Sequence, residues 1–308
     1  MALVASHHQR REAILVGLID EWGGAFVDEL DYRREAANAA AFGASIASTP
    51  LRDVVFAPVT VDAATTSKVL VTGWVDGERL DQSDADDVAR LCGVAMNTYL
   101  TMMLETGLLH ADPHPGNLLR ARDGRLCTLP WGRVPSIPAG RQLAFVEHVA
   151  HLVSKDYAAV PQDLVELGFV PEGQQAAVGN SDVVAAIANV YGAWGMGGGA
   201  AKVDVGSVLG ELLELTDTYG TLFRVPPYFF YIARAFATLE GIGLTADENY
   251  SILDECLPYV AQRVMTDGSP RAARALASFV YGPARERAPA ERSLAVERRE
   301  YLPAGVPS

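Results

Sequence analysis

The chain has 308 residues, 49% of them hydrophobic, which is enough to bury a core as one large or two modest domains. Its 38 acidic and 25 basic side chains give a net charge of −13, which repels a phosphate backbone and argues against a nucleic-acid partner. Cys92, Cys127 and Cys256 are widely spaced, so they indicate neither a disulfide framework nor a zinc motif and favour a reducing compartment.

The N-terminal part of the chain has the apolar periodicity of helices. Apolar residues recur at helical spacing over residues 11–22, and two glycines at 23–24 interrupt the pattern. A second helix is predicted from about Ala25 to Ile46. It carries three notable acids, which composition alone would place on a solvated face: Glu29, Asp31 and Glu35.

Strands and a long helix are predicted next. Residues 54–59 and 68–75 are rich in β-branched side chains, and Asp76-Gly77 closes the second strand. A capping box at 83–86, formed by a serine and an aspartate, predicts the start of a long helix. Gly107 is the predicted end of that helix.

The segment HADPHPGN, residues 110–117, follows the helix and has the pattern His-x-Asp-x-x-x-x-Asn. This is the spacing of a kinase catalytic loop, in which Asp112 would orient or deprotonate the accepting group and Asn117 would hold Mg²⁺. Two other interpretations are open on this segment alone. His110, Asp112 and His114 could chelate a metal from an extended loop, or the prolines and glycine could form a purely structural turn.

A hairpin and a degenerate triplet come directly after the loop. The segment LLRARDGRLCTL predicts two short strands around Asp123-Gly124. A working kinase has Asp-Phe-Gly after this hairpin, and the aspartate binds Mg²⁺. Here Pro130 occupies the aspartate position, whereas Trp131 and Gly132 preserve the aromatic residue and the glycine, and Trp131 is expected to pack as the phenylalanine would.

The remaining chain predicts a helical layer, with helices at about 140–155, 158–168, 181–194, 203–219, 228–241 and 249–265. The glycine-rich stretch 192–199 lacks the spacing of a phosphate-binding motif and is predicted to be a surface loop. His148 and His151 could form half of a metal site, but exposed polar positions are the favoured interpretation. The apolar stretch 227–244 contains Arg234 and Glu240, so an interior helix is predicted and no transmembrane helix, and membrane contact would be peripheral.

Several of these segments together resemble the UbiB or aarF-domain atypical kinase family, over about Ala25 to Asp267. The matching words are ELDYRREAAN with Glu29-Leu30-Asp31, HADPHPGN, VPPYFFYIARAFATLEGIGL and PYVAQRVMTD. The resemblance implies an α+β, mostly helical, protein-kinase-like fold that uses ATP and Mg²⁺. It also implies prenyl-lipid or quinone-pathway partners, in mitochondria, plastids or bacterial membranes.

The resemblance also implies roles for particular residues. Asp112 takes the catalytic-base position, and Asn117 is both a nucleotide-site residue and the remaining Mg²⁺ ligand. Glu29, Asp31 and Glu35 lie at the nucleotide pocket. The expected organisation is an N-terminal helical segment, a remnant N-lobe, a helical C-lobe and a disordered or loosely helical tail, at 1–24, 25–78, 79–282 and 283–308 respectively.

Two departures from the family pattern bear on activity. The family's Lys-x-Gly-Gln helix, alanine-rich loop and ATP-pairing lysine lie upstream of the acidic helix, where this sequence has about 28 residues without a lysine. Proline replaces the metal-binding aspartate. The sequence therefore predicts a pseudokinase with weak or no ATP turnover. The alternatives are a slow ATPase or small-molecule kinase, using Asp123 or a partner's N-lobe, and a non-catalytic interaction module or gene fragment.

Overall fold

The structure is a computed structural model that describes residues 31–110, 114–129, 132, 134–154, 156–171, 173–178, 222–247, 250 and 252–281. Its strands are β1 Val55–Phe56, β2 Gly77–Arg79, β3 Leu118–Ala121 and β4 Leu126–Thr128. Its helices are α1 Tyr32–Ile46, α2 Val88–Thr101, α3 Ala139–Val153, α4 Val160–Glu166, α5 Gln175–Val178, α6 Pro227–Ala246, α7 Ile252–Thr266 and α8 Pro270–Tyr281. The described chain is therefore mostly helical with a small mixed sheet, which confirms the predicted fold class.

The sheet has the strand order β1-β4-β3-β2, in which β1 runs parallel to β4 and the other neighbours are antiparallel. Strands β3 and β4 form the predicted hairpin, with Leu119 paired to Cys127. Gly124 at its tip has φ 81°, a left-handed conformation that glycine adopts without strain. The Asp-Gly signal therefore located this hairpin correctly.

The strand predicted at 68–75 is wrong. That stretch forms only an isolated bridge between Thr60 and Thr72, within an open ribbon whose valines are largely exposed, Val59 to 79%. The strand β2 lies just after it, at the predicted turn. Gly77 makes this possible, because a Cβ atom there would stand 2.5 Å from the Arg120 carbonyl oxygen.

Helix α1 ends at Ile46 as predicted, but it begins later than predicted in the described chain. Asp31 has an extended backbone (φ −115°, ψ 100°), and its carboxylate accepts a hydrogen bond from the Arg33 amide at 3.1 Å. Asp31 is therefore the N-cap rather than an interior residue, as its short acceptor side chain favours. The earlier part of the predicted helix, 25–30, lies outside the described residues.

Helix α2 also begins later than predicted, at Val88. The Ser83 hydroxyl accepts the Ala85 amide at 3.3 Å and donates to Glu78 at 2.6 Å, so it supports a turn instead of a helix start. The capping-box prediction is wrong because that hydroxyl has closer local partners. The predicted end is correct, since Gly107 has φ 70° after a π-helical turn.

Helix α2 forms the centre of the core. Its buried face packs against α6 and α7 and reaches β4, and Leu91, Met96 and Leu100 are almost inaccessible to solvent. Helix α3 packs against α4 and α8. None of the helices in the described part of the chain combines the length and apolarity that crossing a bilayer requires.

The helical layer follows the predicted order where it is described: α3, α4, α6 and α7 correspond to the helices predicted at 140–155, 158–168, 228–241 and 249–265. Helix α8 was not predicted. The predicted helices 181–194 and 203–219, the glycine-rich stretch and the tail after 283 lie outside the described residues. The prediction of exposed histidines is wrong, because His148 and His151 are 12% and 14% exposed and contact Asp163.

Candidate functional site

The start of the loop at 110–117 is anchored in the core. Gly107 ends α2 in a left-handed conformation where an added Cβ would stand 2.6 Å from the Ile137 carbonyl oxygen. The Leu109 amide donates to the Pro135 carbonyl at 3.1 Å. His110 is buried, and its carbonyl accepts a hydrogen bond from the Tyr99 hydroxyl at 3.3 Å. The chain therefore leaves α2 along one fixed path.

The end of the loop is a short 3₁₀ turn, Pro115–Asn117, that its own side chains organise. The Asn117 amide donates to the His114 carbonyl at 2.7 Å, and the Gly116 amide donates to His114 Nδ1 at 3.0 Å. Asp112 lies outside the described residues. His110 is buried and His114 is exposed, and the described residues contain no cluster of three metal-ligating side chains.

Asn117 lies beside Leu129, the residue that precedes the triplet at 130–132, of which Pro130 and Trp131 lie outside the described residues. The Leu129 amide donates to the Asn117 carbonyl at 2.7 Å, so Pro130 follows a residue that is bonded directly to the loop. The Asn38 side-chain amide on α1 donates to the Gly132 carbonyl at 3.3 Å. These two hydrogen bonds bring helix α1, the loop and the triplet to one place.

The acids of α1 occupy different environments. Asp31 caps the helix, and Glu35 is buried in its first turn, 8% exposed. Glu35 is three residues before Asn38, so both lie on the helix face that contacts Gly132. Glu29 lies outside the described residues. Lys68, on the ribbon, is exposed and makes no ion pair, so it does not pair with Glu35 in this structure.

Arg79 is a basic residue beside the loop that no sequence motif indicated. Its guanidinium carbon lies 3.9 Å from the position that a Cβ on Gly116 would take. Asp81 accepts two hydrogen bonds from it, at 3.0 and 2.7 Å, and this pairing raises the pKa of Arg79 further. A positive charge thus stands next to the loop, although a carboxylate already balances it.

An ion-pair network ties the hairpin to helix α2. Arg120 on β3 donates to Asp87 at 2.6 Å, and this bond, with a second from Arg90, keeps the pKa of Asp87 below its usual range despite partial desolvation. Arg90 also donates to the Gly124 carbonyl at 2.8 Å. The hairpin that leads to Pro130 is therefore held against the helix that leads to the loop.

Two cavities differ in their relation to this site. The one that Asn117 borders, beneath the loop, is too small to admit a water molecule. A groove of about 370 Å³ lies between α2, α7 and Pro50-Leu51, and none of the predicted site residues is among the described residues that line it. The larger opening is therefore distinct from the loop and triplet.

The helical layer, the loop after α2, the hairpin and the triplet define a protein-kinase-like domain. The family model described as the ABC1 atypical kinase-like domain matches residues 1–164. The chain belongs to this family of atypical kinase-like proteins, which confirms the resemblance to aarF-domain proteins.

Relatives in plants and bacteria place the chain within this family. It is 34% identical, over 87% of its length, to a chloroplastic aarF domain-containing protein kinase of Arabidopsis thaliana. It is 33% identical, over 86% of its length, to the chloroplastic protein ACTIVITY OF BC1 COMPLEX KINASE 3 of the same plant, and 31% identical to a Synechocystis protein over 89%. The chain spans 37%, 36% and 39% of those three relatives, respectively.

A solved structure supports the fold. The Mycobacterium tuberculosis protein Rv3197, determined in complex with erythromycin, aligns with a TM-score of 0.51 at 22% identity. The alignment covers 75% of this chain and 58% of that one. At this identity the likeness concerns the fold alone.

Proposed function

We propose that this chain is a pseudokinase: a kinase-like protein that binds ATP and Mg²⁺ weakly and turns ATP over feebly or not at all. The observation that supports the proposal is the hydrogen bond from the Leu129 amide to the Asn117 carbonyl, which joins the residue before position 130 to the residue in the position of the kinase asparagine. One position holds an amide side chain that can bind Mg²⁺. The other holds Pro130, which has no side-chain oxygen.

The chemistry explains why one proline has a large effect. Phosphoryl transfer is catalysed almost entirely by positioning and by neutralising charge on the phosphates. Losing one preorganised electrostatic element commonly costs on the order of 10²–10³ in rate. Here a proline stands at the position of the aspartate that would hold Mg²⁺, and Arg79, the basic side chain beside the loop, is already paired with Asp81.

Within this proposal each predicted site residue has a role. Asp112 occupies the catalytic-base position, and Asn117 is the residual ligand for Mg²⁺. Asp31 and Glu35, with Glu29 before them, line the nucleotide side of α1. The burial of Glu35 and the Asn38–Gly132 hydrogen bond support a helix that faces the triplet.

We also propose a cellular setting and a domain division from the relatives and the family pattern. The chloroplastic relatives support a plastid setting. From the family pattern we propose a link to quinone or isoprenoid lipid biology at a plastid, mitochondrial or bacterial membrane. The proposed partners are a nucleotide and prenyl lipids or quinone-pathway proteins, through peripheral membrane contact. The N-terminal segment, remnant N-lobe, helical C-lobe and tail remain the proposed units.

A thermal-shift titration with ATP and Mg²⁺ tests nucleotide binding. Ligand at about 100 times its dissociation constant adds roughly 2.7 kcal/mol to stability if a site exists. Asp112→Asn and Asn117→Ala should change the melting-temperature shift that ATP and Mg²⁺ produce. Asp123→Asn, at the exposed hairpin tip, should not change it. Absence of any shift at saturating nucleotide would instead support the interaction-module alternative.

A rescue variant tests the catalytic half of the proposal. Pro130→Asp should raise Mg²⁺-dependent ATP hydrolysis well above that of the natural sequence, because it restores a carboxylate at the first position of the triplet, where a working kinase binds Mg²⁺. Robust hydrolysis by the natural sequence, abolished by Asp112→Ala, would contradict the pseudokinase assignment. It would favour the slow ATPase or small-molecule kinase, which the organised loop around Asn117 keeps as the second candidate.

A further inference from the structure

A groove between α2 and α7 lies away from the loop at 110–117. Its volume of about 370 Å³ falls within the range of small-molecule sites in proteins. One stripe of α2 and the turn after it form one wall, one face of α7 forms the other, and the segment after α1 closes the end. The described lining residues are Pro50, Leu51, Asn97, Thr101, Glu105, Glu255, Pro258, Tyr259, Gln262, Arg263 and Thr266.

The two walls are joined by a hydrogen-bonded tyrosine. The Tyr259 hydroxyl lies 2.9 Å from the Thr101 hydroxyl and donates to the Glu105 carboxylate. Glu105 therefore has a partner within the protein. The single basic residue of the described lining, Arg263, is paired as well, with Asp267 at 2.7 Å.

Glu255 is different, because its carboxylate makes no hydrogen bond or ion pair with any described residue. Its Oε2 atom stands 3.2 Å from the place of a Cβ on Gly93, so the missing side chain on α2 gives the carboxylate its space. Burial raises the pKa of the neighbouring Cys256 thiol to about 12, and the negative charge of Glu255 adds to that rise. No described basic side chain therefore neutralises the half-buried carboxylate of Glu255.

We propose that this groove binds an amphipathic organic cation, with its ammonium group on Glu255 and its apolar body against Leu51 and Pro258. The charge of the lining selects the class of ligand. Two carboxylates face the groove and its one guanidinium is already paired, so an anion such as a nucleotide is disfavoured there. A carboxylate partly withdrawn from water gains most from a cationic partner, and the apolar lining suits a hydrocarbon group.

The position of the groove gives its ligand a structural consequence. Leu51 belongs to the segment that follows α1, and Thr101 ends α2, after which the chain enters the loop at 110–117. A ligand that contacts both would join the α1 side of the sheet to the central helix. None of the groove's described lining residues belongs to the loop or the triplet, so ligand binding there is independent of the proposed kinase-like function.

The test uses 4-phenylbutylamine as the probe and 4-phenylbutan-1-ol as its neutral counterpart, with the full chain at pH 7, where the amine is charged. We expect the amine to raise the melting temperature and to bind measurably by calorimetry, and the alcohol to bind at least about tenfold more weakly. Glu255→Gln should weaken binding of the amine at least about tenfold and leave the affinity for the alcohol unchanged. Its melting temperature without ligand reports whether the variant folds.

Matched variants separate the groove from general surface charge. Glu105→Gln keeps a hydrogen-bond acceptor for the Tyr259 hydroxyl. It should weaken binding of the amine less than Glu255→Gln does. Asp76→Asn, an exposed carboxylate outside the groove, should have no effect. Three results would each overturn the proposal: no binding at millimolar amine, equal binding of amine and alcohol, or an unchanged amine affinity in Glu255→Gln.

Discussion

The contact of Asp163 with two histidines makes a quantitative prediction about stability. Asp163 on α4 is 5% exposed, and its carboxylate lies 3.2 Å from His148 Nδ1 and 2.9 Å from His151 Nδ1, both on α3. Replacing it in Asp163→Asn preserves the volume but removes the charge. The variant therefore isolates the electrostatic part of the contact between the two helices.

The magnitude follows from the number of hydrogen bonds. A hydrogen bond to a charged group contributes about 1.5–3 kcal/mol, and an asparagine carbonyl can still accept from one imidazole. We expect Asp163→Asn to lower the free energy of unfolding by about 2–4 kcal/mol at pH 7. Asp163→Ala also leaves both imidazoles without this partner and should cost about 3–5 kcal/mol.

The pH dependence has a definite sign. Burial alone would raise the pKa of Asp163, but the hydrogen bonds from His148 and His151 outweigh it, and the pKa lies below its usual value. A carboxyl whose folded pKa is depressed contributes its full stability above the unfolded pKa of about 3.9, and loses it as pH falls through the folded pKa. The difference between the natural chain and Asp163→Asn should therefore shrink below about pH 4.

Urea unfolding from pH 7 down to pH 3 measures this difference. A suitable control is Asp53→Asn, whose carboxylate is 80% exposed and pairs with the exposed Arg52, so its effect should be small at every pH. Two results would contradict the stabilising role of the Asp163 charge. One is a difference in unfolding free energy between the natural chain and Asp163→Asn that stays constant down to pH 3. The other is a difference that never exceeds the effect of Asp53→Asn.

Two further pairs of variants, each a test and its control, are compared by urea unfolding. Arg271 on α8 donates to Glu147 at 2.6 Å and also to Glu166. Burial raises the pKa of Glu147 more than Arg271 lowers it, so this carboxylate depends on its cationic partner. Arg271→Met should therefore lower the free energy of unfolding by about 2–4 kcal/mol. The Glu166 side chain is 33% exposed, so Glu166→Gln should lower the free energy of unfolding by less than about 1 kcal/mol. A loss as large as that of Arg271→Met would argue against the importance of the Arg271–Glu147 pair. Gly107→Ala should lower the free energy of unfolding by about 1–3 kcal/mol through backbone strain alone, and its close contacts should add to that loss. Gly124→Ala should lower it less, because the added Cβ would meet nothing closer than 3.9 Å.

Short-range signals in the sequence were sufficient for part of the fold and site. Asp123-Gly124 located the hairpin, Gly107 located the end of α2, and apolar periodicity predicted the order of the described helices α3, α4, α6 and α7. Each signal depends on residues within a turn or two of one another, where backbone preference decides the conformation. The family, and with it the fold class, followed from long matching words such as HADPHPGN.

Signals that depend on distant partners were misread or missed. The run at 68–75 has strand propensity, but Gly77–Arg79 pairs with β3, because Gly77 tolerates the close approach of Arg120. His148 and His151 were predicted to be exposed, because the Asp163 carboxylate that they contact is 15 and 12 residues away, respectively. Periodicity cannot reveal a partner on another helix.

What the sequence determined by itself is therefore the family, the order of the described helices and the proline at position 130. Only the tertiary structure decided that Asn117 is bonded to Leu129, that Glu35 is buried and that Glu255 faces a groove without a partner. The physical reason is that local backbone preferences are encoded by neighbouring residues, whereas burial and charge pairing arise where segments far apart in the chain pack together.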